Sequence, residues 1–176
     1  AACLYRDRHA SAAVAAARVA EGFTEVKFAP AGQYTVYDGR MPDLEALTRS
    51  ETFCREIRAA VGDRADLLFG THGQFTAAGA LRLAQRIEVY DPLWFEEPCP
   101  PDMPEEMARV AAGTSIPVAT GERLCSKFEF ARVLDLGAAA ILQPDLGRAG
   151  GILEGKKIAA MAETRYVQVA PHLYCG

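Results

Sequence analysis

Short apolar runs rich in β-formers alternate along the chain with longer stretches whose apolar residues have helical spacing. The runs predict six strands, over Phe23–Ala29, Asp66–His72, Pro92–Glu97, Pro117–Glu122, Ala138–Asp145 and Tyr166–His172, with Ala1–Tyr5 as a weaker seventh. Helices are predicted between them, over Ser11–Ala20, Leu44–Val61, Ala77–Val89, Pro104–Gly113, Lys127–Leu136 and Gly151–Glu163. Strand–helix units of about 25 residues predict a parallel sheet with helical crossovers.

Two α/β architectures accept this alternation, a closed eight-fold barrel and an open doubly wound sheet. A complete barrel takes about 250 residues, and the chain has 176. It is therefore an open sheet or part of a barrel. Gly147, Gly150 and Gly151 do not form a dinucleotide fingerprint, and no phosphate-binding loop is present. The turn-rich segment Ala31–Asp43 is expected to cover a site.

Composition excludes several classes of protein. Apolar residues make up 50% of the chain and charged residues 24%, which is typical of a soluble globular domain. The net charge of −4 argues against a nucleic-acid partner. No apolar stretch approaches the length of a membrane span and no leader peptide is recognised, so we expect a cytoplasmic protein. The five cysteines lack CxxC spacing and are expected to be free thiols.

Ionisable residues collect at the carboxyl ends of the predicted strands, where barrel active sites lie. They are Lys27, His72, Glu96, Glu97, Glu122, Asp145 and His172. The two-residue alternation of a strand predicts shared faces for Gly70 with His72, Trp94 with Glu96, Thr120 with Glu122, Gln143 with Asp145, and Ala170 with His172. This repeated parity favours a site over a set of unrelated loop residues.

Each of these residues taken alone also has a structural interpretation. Glu97 precedes Pro98 and could begin a helix, Glu122 could form a solvated ion pair with Arg123, and Asp145 could cap the following helix. Lys27 lies inside a predicted strand, and burying its amine without a partner would cost free energy. The joint occurrence of the residues is what favours function.

Their chemistry suits the removal of a proton next to a carboxylate. Glu96 and Glu122, on neighbouring strands, could hold Mg²⁺ through oxygen. His172 with Asp145 makes a plausible base dyad, in which the carboxylate orients the ring. Lys27 would face this dyad from the other side.

Six motifs resemble the barrel domain of the enolase superfamily, in its mandelate racemase/muconate lactonizing enzyme subgroup, and more narrowly the galactonate-type acid-sugar dehydratases. They are GFTEVKF (22–28), GTHGQ (70–74), WFEEP (94–98), ATGER (119–123), QPDLGRAGG (143–151) and APH (170–172). The resemblance implies that residues 1–176 are part of a modified (β/α) barrel, with a closing strand and an N-terminal capping domain outside the chain.

The resemblance also implies roles for the strand-end residues. Glu96 and Glu122 match two magnesium ligands, and Asp145 with His172 matches a base dyad. A Mg²⁺ ion bound there would stabilise the enediolate that forms when the α-proton is removed.

Lys27 and His72 complete the implied site. Lys27 matches a lysine that contacts the substrate carboxylate, and His72 a substrate-binding histidine that protonates the departing hydroxyl. Three positions depart from the pattern: Gly70 replaces a metal-ligand Asp, Ala29 replaces a second lysine, and Glu25 adds an acid that could pair with Lys27.

The expected function is a Mg²⁺-dependent lyase that dehydrates a small-molecule sugar acid to a 2-keto-3-deoxy acid. One alternative is a racemase, epimerase or cycloisomerase acting through the same enediolate. Another is a metal-deficient, non-catalytic relative, which Gly70 favours. The resemblance further implies a homo-oligomer.

Overall fold

In the part of the chain that the structure describes, seven parallel strands alternate with six α-helices. The computed structural model describes residues 2–4, 8–31 and 39–173, with side chains from residue 11 onward. The elements are β1 (Ala2–Leu4), α1 (Arg8–Ala20), β2 (Glu25–Phe28), α2 (Leu44–Val61), β3 (Asp66–Gly70), α3 (Ala77–Ile87), β4 (Pro92–Glu96), α4 (Pro104–Gly113), β5 (Val118–Thr120), α5 (Lys127–Asp135), β6 (Ile141–Leu142), α6 (Gly151–Glu163) and β7 (Gln168–Val169).

The helices match the sequence prediction closely, whereas the strands are shorter than predicted. The chain leaves the extended conformation at the strand ends, where His72 (φ 54°), Glu97 (φ 46°) and Gly121 (φ 135°) adopt positive φ. Asp145 and His172 still pair with each other, as an isolated parallel bridge beyond β6 and β7. The functional residues therefore lie on the turns that leave the sheet, as is usual for a parallel α/β fold.

Strand order decides between the two architectures. The strands are hydrogen-bonded in chain order, β1-β2-β3-β4-β5-β6-β7, and every pair is parallel. A doubly wound sheet would reverse its strand order at a switch point. The chain is part of a barrel, as the sequence resemblance implied.

Local signals at the helix starts explain the accuracy of the helix predictions. Asp43 accepts a hydrogen bond from the Ala46 amide at the start of α2, and Thr76 does the same for the Gly79 amide before α3. Ser126 and Glu129 form a reciprocal capping box before α5.

The central strands have a helix-facing side and a site-facing side. Phe28, Phe69 and Phe95 are paired in register on β2, β3 and β4, and their rings stack edge to face at 5.7 and 5.5 Å. All three are fully buried. Neighbouring residues of a strand point to opposite faces. Because the phenylalanine rings face the helices, Lys27 and Glu96 lie on the other side of the sheet.

Two further predictions concern the loop and the cysteines. Most of the Ala31–Asp43 segment, residues 32–38, lies outside the described residues. Cys54, Cys99 and Cys125 are free thiols, as predicted. Within the described part of the chain, no helix is long and apolar enough to cross a membrane.

Candidate active site

Asp145 and His172 form the dyad that the sequence predicts. His172 Nδ1 lies 2.9 Å from Asp145 Oδ2. The hydrogen bond to His172 is the main reason why the pKa of Asp145 is lowered. An ionised carboxylate only accepts hydrogen bonds, so Nδ1 carries the proton and Nε2 is the ring nitrogen that can act as a base.

The turn after β6 fixes the Asp145 carboxylate. Its second oxygen, Oδ1, accepts hydrogen bonds from the amides of Gly147 (2.9 Å) and Arg148 (3.2 Å). Helix α6 is capped at its N-terminus by Gly150, so Asp145 is not the helix cap of the alternative interpretation. A carboxylate held at both oxygens restricts the orientation of the imidazole bonded to it.

Lys27 and Glu96 form a buried ion pair across the sheet. Lys27 Nζ lies 2.5 Å from Glu96 Oε1, and the two side chains are 17% and 3% exposed. Glu96 Oε2 accepts hydrogen bonds from Trp94 Nε1 (3.2 Å) and Gln143 Nε2 (2.8 Å). Both oxygens of the Glu96 carboxylate are therefore engaged by nitrogen donors.

Glu122 lies beside the dyad, with its Oε2 3.5 Å from His172 Nε2. The predicted sharing of one face by Thr120 and Glu122 is wrong. The Thr120 hydroxyl donates instead to Glu97, whose same oxygen accepts the Gly121 amide at 3.1 Å. The φ of 135° at Gly121 breaks the strand alternation, so a count of two residues does not return the chain to the same face.

His72 reaches the site through a left-handed turn after β3. Arg123 holds that turn by donating from its guanidinium to the His72 carbonyl at 2.5 Å. Burial is the largest influence on His72 and lowers its pKa, against the opposing effect of the Glu122 and Glu96 carboxylates. The imidazole thus lies within the electrostatic reach of both acids.

The side chains do not fit the magnesium site that the resemblance implies. Glu96 is engaged by three donors, Glu122 faces His172, and Gly70 supplies no ligand. Within residues 11–31 and 39–173, no three His, Cys, Asp or Glu side chains are arranged to hold a metal ion. Mg²⁺ binding at Glu96 and Glu122 stays a prediction.

A small cleft adjoins the dyad. It measures about 160 Å³ and is lined by Asp145, His172 and the neighbouring residues of the two turns. A larger cavity of about 240 Å³ is lined by residues of α4, α5 and the turns before them, and it touches neither dyad residue. We place the site at the smaller cleft, because Asp145 and His172 line it.

The structure brings together all six predicted site residues, and it adds others. Trp94 and Gln143 donate hydrogen bonds to Glu96. The two-residue alternation of the strands predicts that both face the site, so the sequence does indicate them. For Arg123 the sequence indicates only a possible ion pair with Glu122. Its contact with the His72 carbonyl depends on a turn from another strand, which no spacing in the sequence encodes.

With this geometry established, comparison with known proteins shows the family. Residues 10–176 match the family described as enolase C-terminal domain-like, and the chain belongs to that family. A D-galactonate dehydratase of Ralstonia nicotianae is 50% identical over 121 residues, which are 69% of this chain and 32% of that protein. The chain therefore spans about a third of the length of this curated relative.

Solved structures agree on the fold. A mandelate racemase/muconate lactonizing enzyme-like protein from Roseovarius sp. TM1035 is 64% identical, with a TM-score of 0.94 over 97% of this chain and 43% of that one. A 3,6-anhydro-D-galactonate cycloisomerase from Zobellia galactanivorans is 29% identical, with a TM-score of 0.85 over 98% of this chain and 46% of that one. The partial barrel and its similarity to acid-sugar dehydratases agree with the sequence analysis.

Proposed function

We propose that the complete protein containing this chain is a lyase that dehydrates a sugar acid. The single observation that carries the proposal is the ionised Asp145 bound to His172 Nδ1 at 2.9 Å, which favours the tautomer in which Nε2 can accept a proton. Similarity to a D-galactonate dehydratase supports an aldonic acid as substrate.

The first chemical step is removal of the proton α to the carboxylate. His172 Nε2 takes this proton, and Asp145 stabilises the imidazolium that results. The substrate carboxylate gains negative charge as the enediolate forms, and the Lys27 ammonium is the cation placed to stabilise it.

The second step expels the β-hydroxyl. His72 donates a proton to this oxygen, which leaves as water while the electron pair of the enediolate forms the new C=C bond. The resulting enol tautomerises to a 2-keto-3-deoxy acid. Since burial lowers the pKa of His72, its imidazolium is a stronger acid than an exposed one.

The experiment is incubation of the complete protein in D₂O with a panel of aldonic acids, beginning with D-galactonate, followed by proton NMR. We expect a 2-keto-3-deoxy product, and we expect none from the His172→Asn variant. Absence of both product and α-deuteration across the panel, from a folded protein, contradicts the proposal.

A second candidate is a racemase, epimerase or cycloisomerase that uses the same base, and similarity to a cycloisomerase favours it. The same spectra separate the two functions. A racemase or epimerase returns deuterated acid without a keto product, and a cycloisomerase gives an isomer of the substrate.

We also propose that the complete protein forms a homo-oligomer, and sedimentation measures its oligomeric state.

A further inference from the structure

Gly70 supplies no side chain at a position where the resemblance implies a metal-ligand acid, and the fold does not require a glycine there. Its φ is not in the left-handed region. A Cβ built on Gly70 would lie 3.9 Å from Glu96 Cβ, Glu96 Oε1 and the Phe28 carbonyl, which is ordinary contact. A Cβ at position 70 would therefore be accommodated, so neither the backbone conformation nor the space around this atom requires a glycine.

The side chain that a residue at position 70 would meet is the one that Lys27 already binds. Gly70 pairs in register with Glu96, and Glu96 Oε1 lies 2.5 Å from Lys27 Nζ. A metal ion bound to this oxygen would have to displace the ammonium. Trp94 and Gln143 hold the other oxygen, so donors already occupy three of the roughly four lone-pair sites of this carboxylate.

Charge balance points in the same direction. With glycine in place of an acid at position 70, the site has one negative charge fewer to neutralise, and an ammonium already offsets one of the two that remain. Glu96 and Glu122 are the two acids, and Lys27 is the cation. An ammonium has three N–H donors, and the contact with Glu96 Oε1 uses one of them.

We propose that the Lys27 ammonium, fixed by Glu96, takes the place of the divalent cation and receives the substrate carboxylate, so that the site works without a bound metal. The assignment of the substrate carboxylate rests on the proposed function. The replacement of the metal rests on the Lys27–Glu96 pair and on Gly70 alone.

The test measures binding of Mn²⁺ by electron paramagnetic resonance, in the complete protein after EDTA treatment. We expect the parent to bind no Mn²⁺ at this site. The Gly70→Asp variant adds a third carboxylate and should bind Mn²⁺ at least about 100-fold more tightly, since even indirect ligand partners change metal affinity by about 10–100-fold. Gly70→Asn, of the same size but neutral, should bind like the parent.

Stoichiometric binding of Mn²⁺ by the parent that is lost in Glu96→Gln would overturn the proposal. Equal Mn²⁺ binding by the Gly70→Asp and Gly70→Asn variants would overturn it as well, because the missing carboxylate would then not be the cause. These readouts need no substrate, so they decide the metal question even if no sugar acid reacts. Conversely, a dehydratase that is active and inhibited by EDTA retains the proposed function and refutes this inference.

Discussion

Removal of the Lys27 ammonium should destabilise the protein by leaving the Glu96 carboxylate buried without its cation. Lys27 is 17% exposed and Glu96 only 3%, at an N–O distance of 2.5 Å. At an effective dielectric constant of about 20, this distance corresponds to roughly 6–7 kcal/mol of attraction. Breaking a buried pair by removing one partner costs about 3–5 kcal/mol. Because Lys27 is partly exposed, we expect Lys27→Met to lower the free energy of unfolding by about 3 kcal/mol.

The assay is urea unfolding of the complete protein followed by circular dichroism. Lys156→Met, the same change at an exposed position on α6, is the matched control and should alter the free energy by at most about 0.5 kcal/mol. Adding Glu96→Gln to Lys27→Met should recover at least half of the loss, since the buried charge is then gone while an oxygen remains for Trp94 and Gln143. A loss below about 1 kcal/mol in Lys27→Met, comparable to that of an exposed pair, would refute the reasoning and indicate that another cation neutralises Glu96.

Three further predictions concern the dyad and the buried titratable groups. Asp145→Asn should slow α-proton exchange by about 10²–10⁴-fold, because a neutral amide does not stabilise the imidazolium that forms when His172 takes the proton. NMR in D₂O measures this rate, and an unchanged rate contradicts the dyad. The pKa of His72 lies below its ordinary value of 6.5, and His72 loses the proton that it donates as the pH rises through that lower pKa. The rate of elimination should therefore fall over this range, whereas the rate of α-proton exchange should not. Parallel pH profiles for the two rates exclude His72 as the acid. Burial raises the pKa of Glu97 from 4.5 to about 7, so its contribution to stability is fully present below pH 4.5 and is lost as the pH rises to about 7, by about 3 kcal/mol. The unfolding free energy of Glu97→Gln relative to the parent should rise over that range, and a pH-independent difference would contradict the assignment.

Local signals in the sequence predict most of the helices and the position of the site. The bounds of α2, α4 and α6 match the prediction, and two of the three have a start signal in the sequence, the Asp43 cap before α2 and the proline that begins α4. The strands were overestimated, since an apolar run predicts burial but does not show where pairing ends. Only Ile141–Leu142 of the predicted Ala138–Asp145 run forms a strand.

The sequence by itself determined the alternation of strands and helices and the identity of the dyad, because both follow from residue type and spacing. Tertiary structure decided what each polar group contacts. Three contacts join residues that are 23 to 69 positions apart. They are the ion pair of Lys27 with Glu96, the hydrogen bond from Thr120 to Glu97 and the hydrogen bond from Arg123 to the His72 carbonyl. Such contacts depend on sheet register and on backbone turns, which no local pattern records, and they are what distinguish this site from the one that the motifs alone imply.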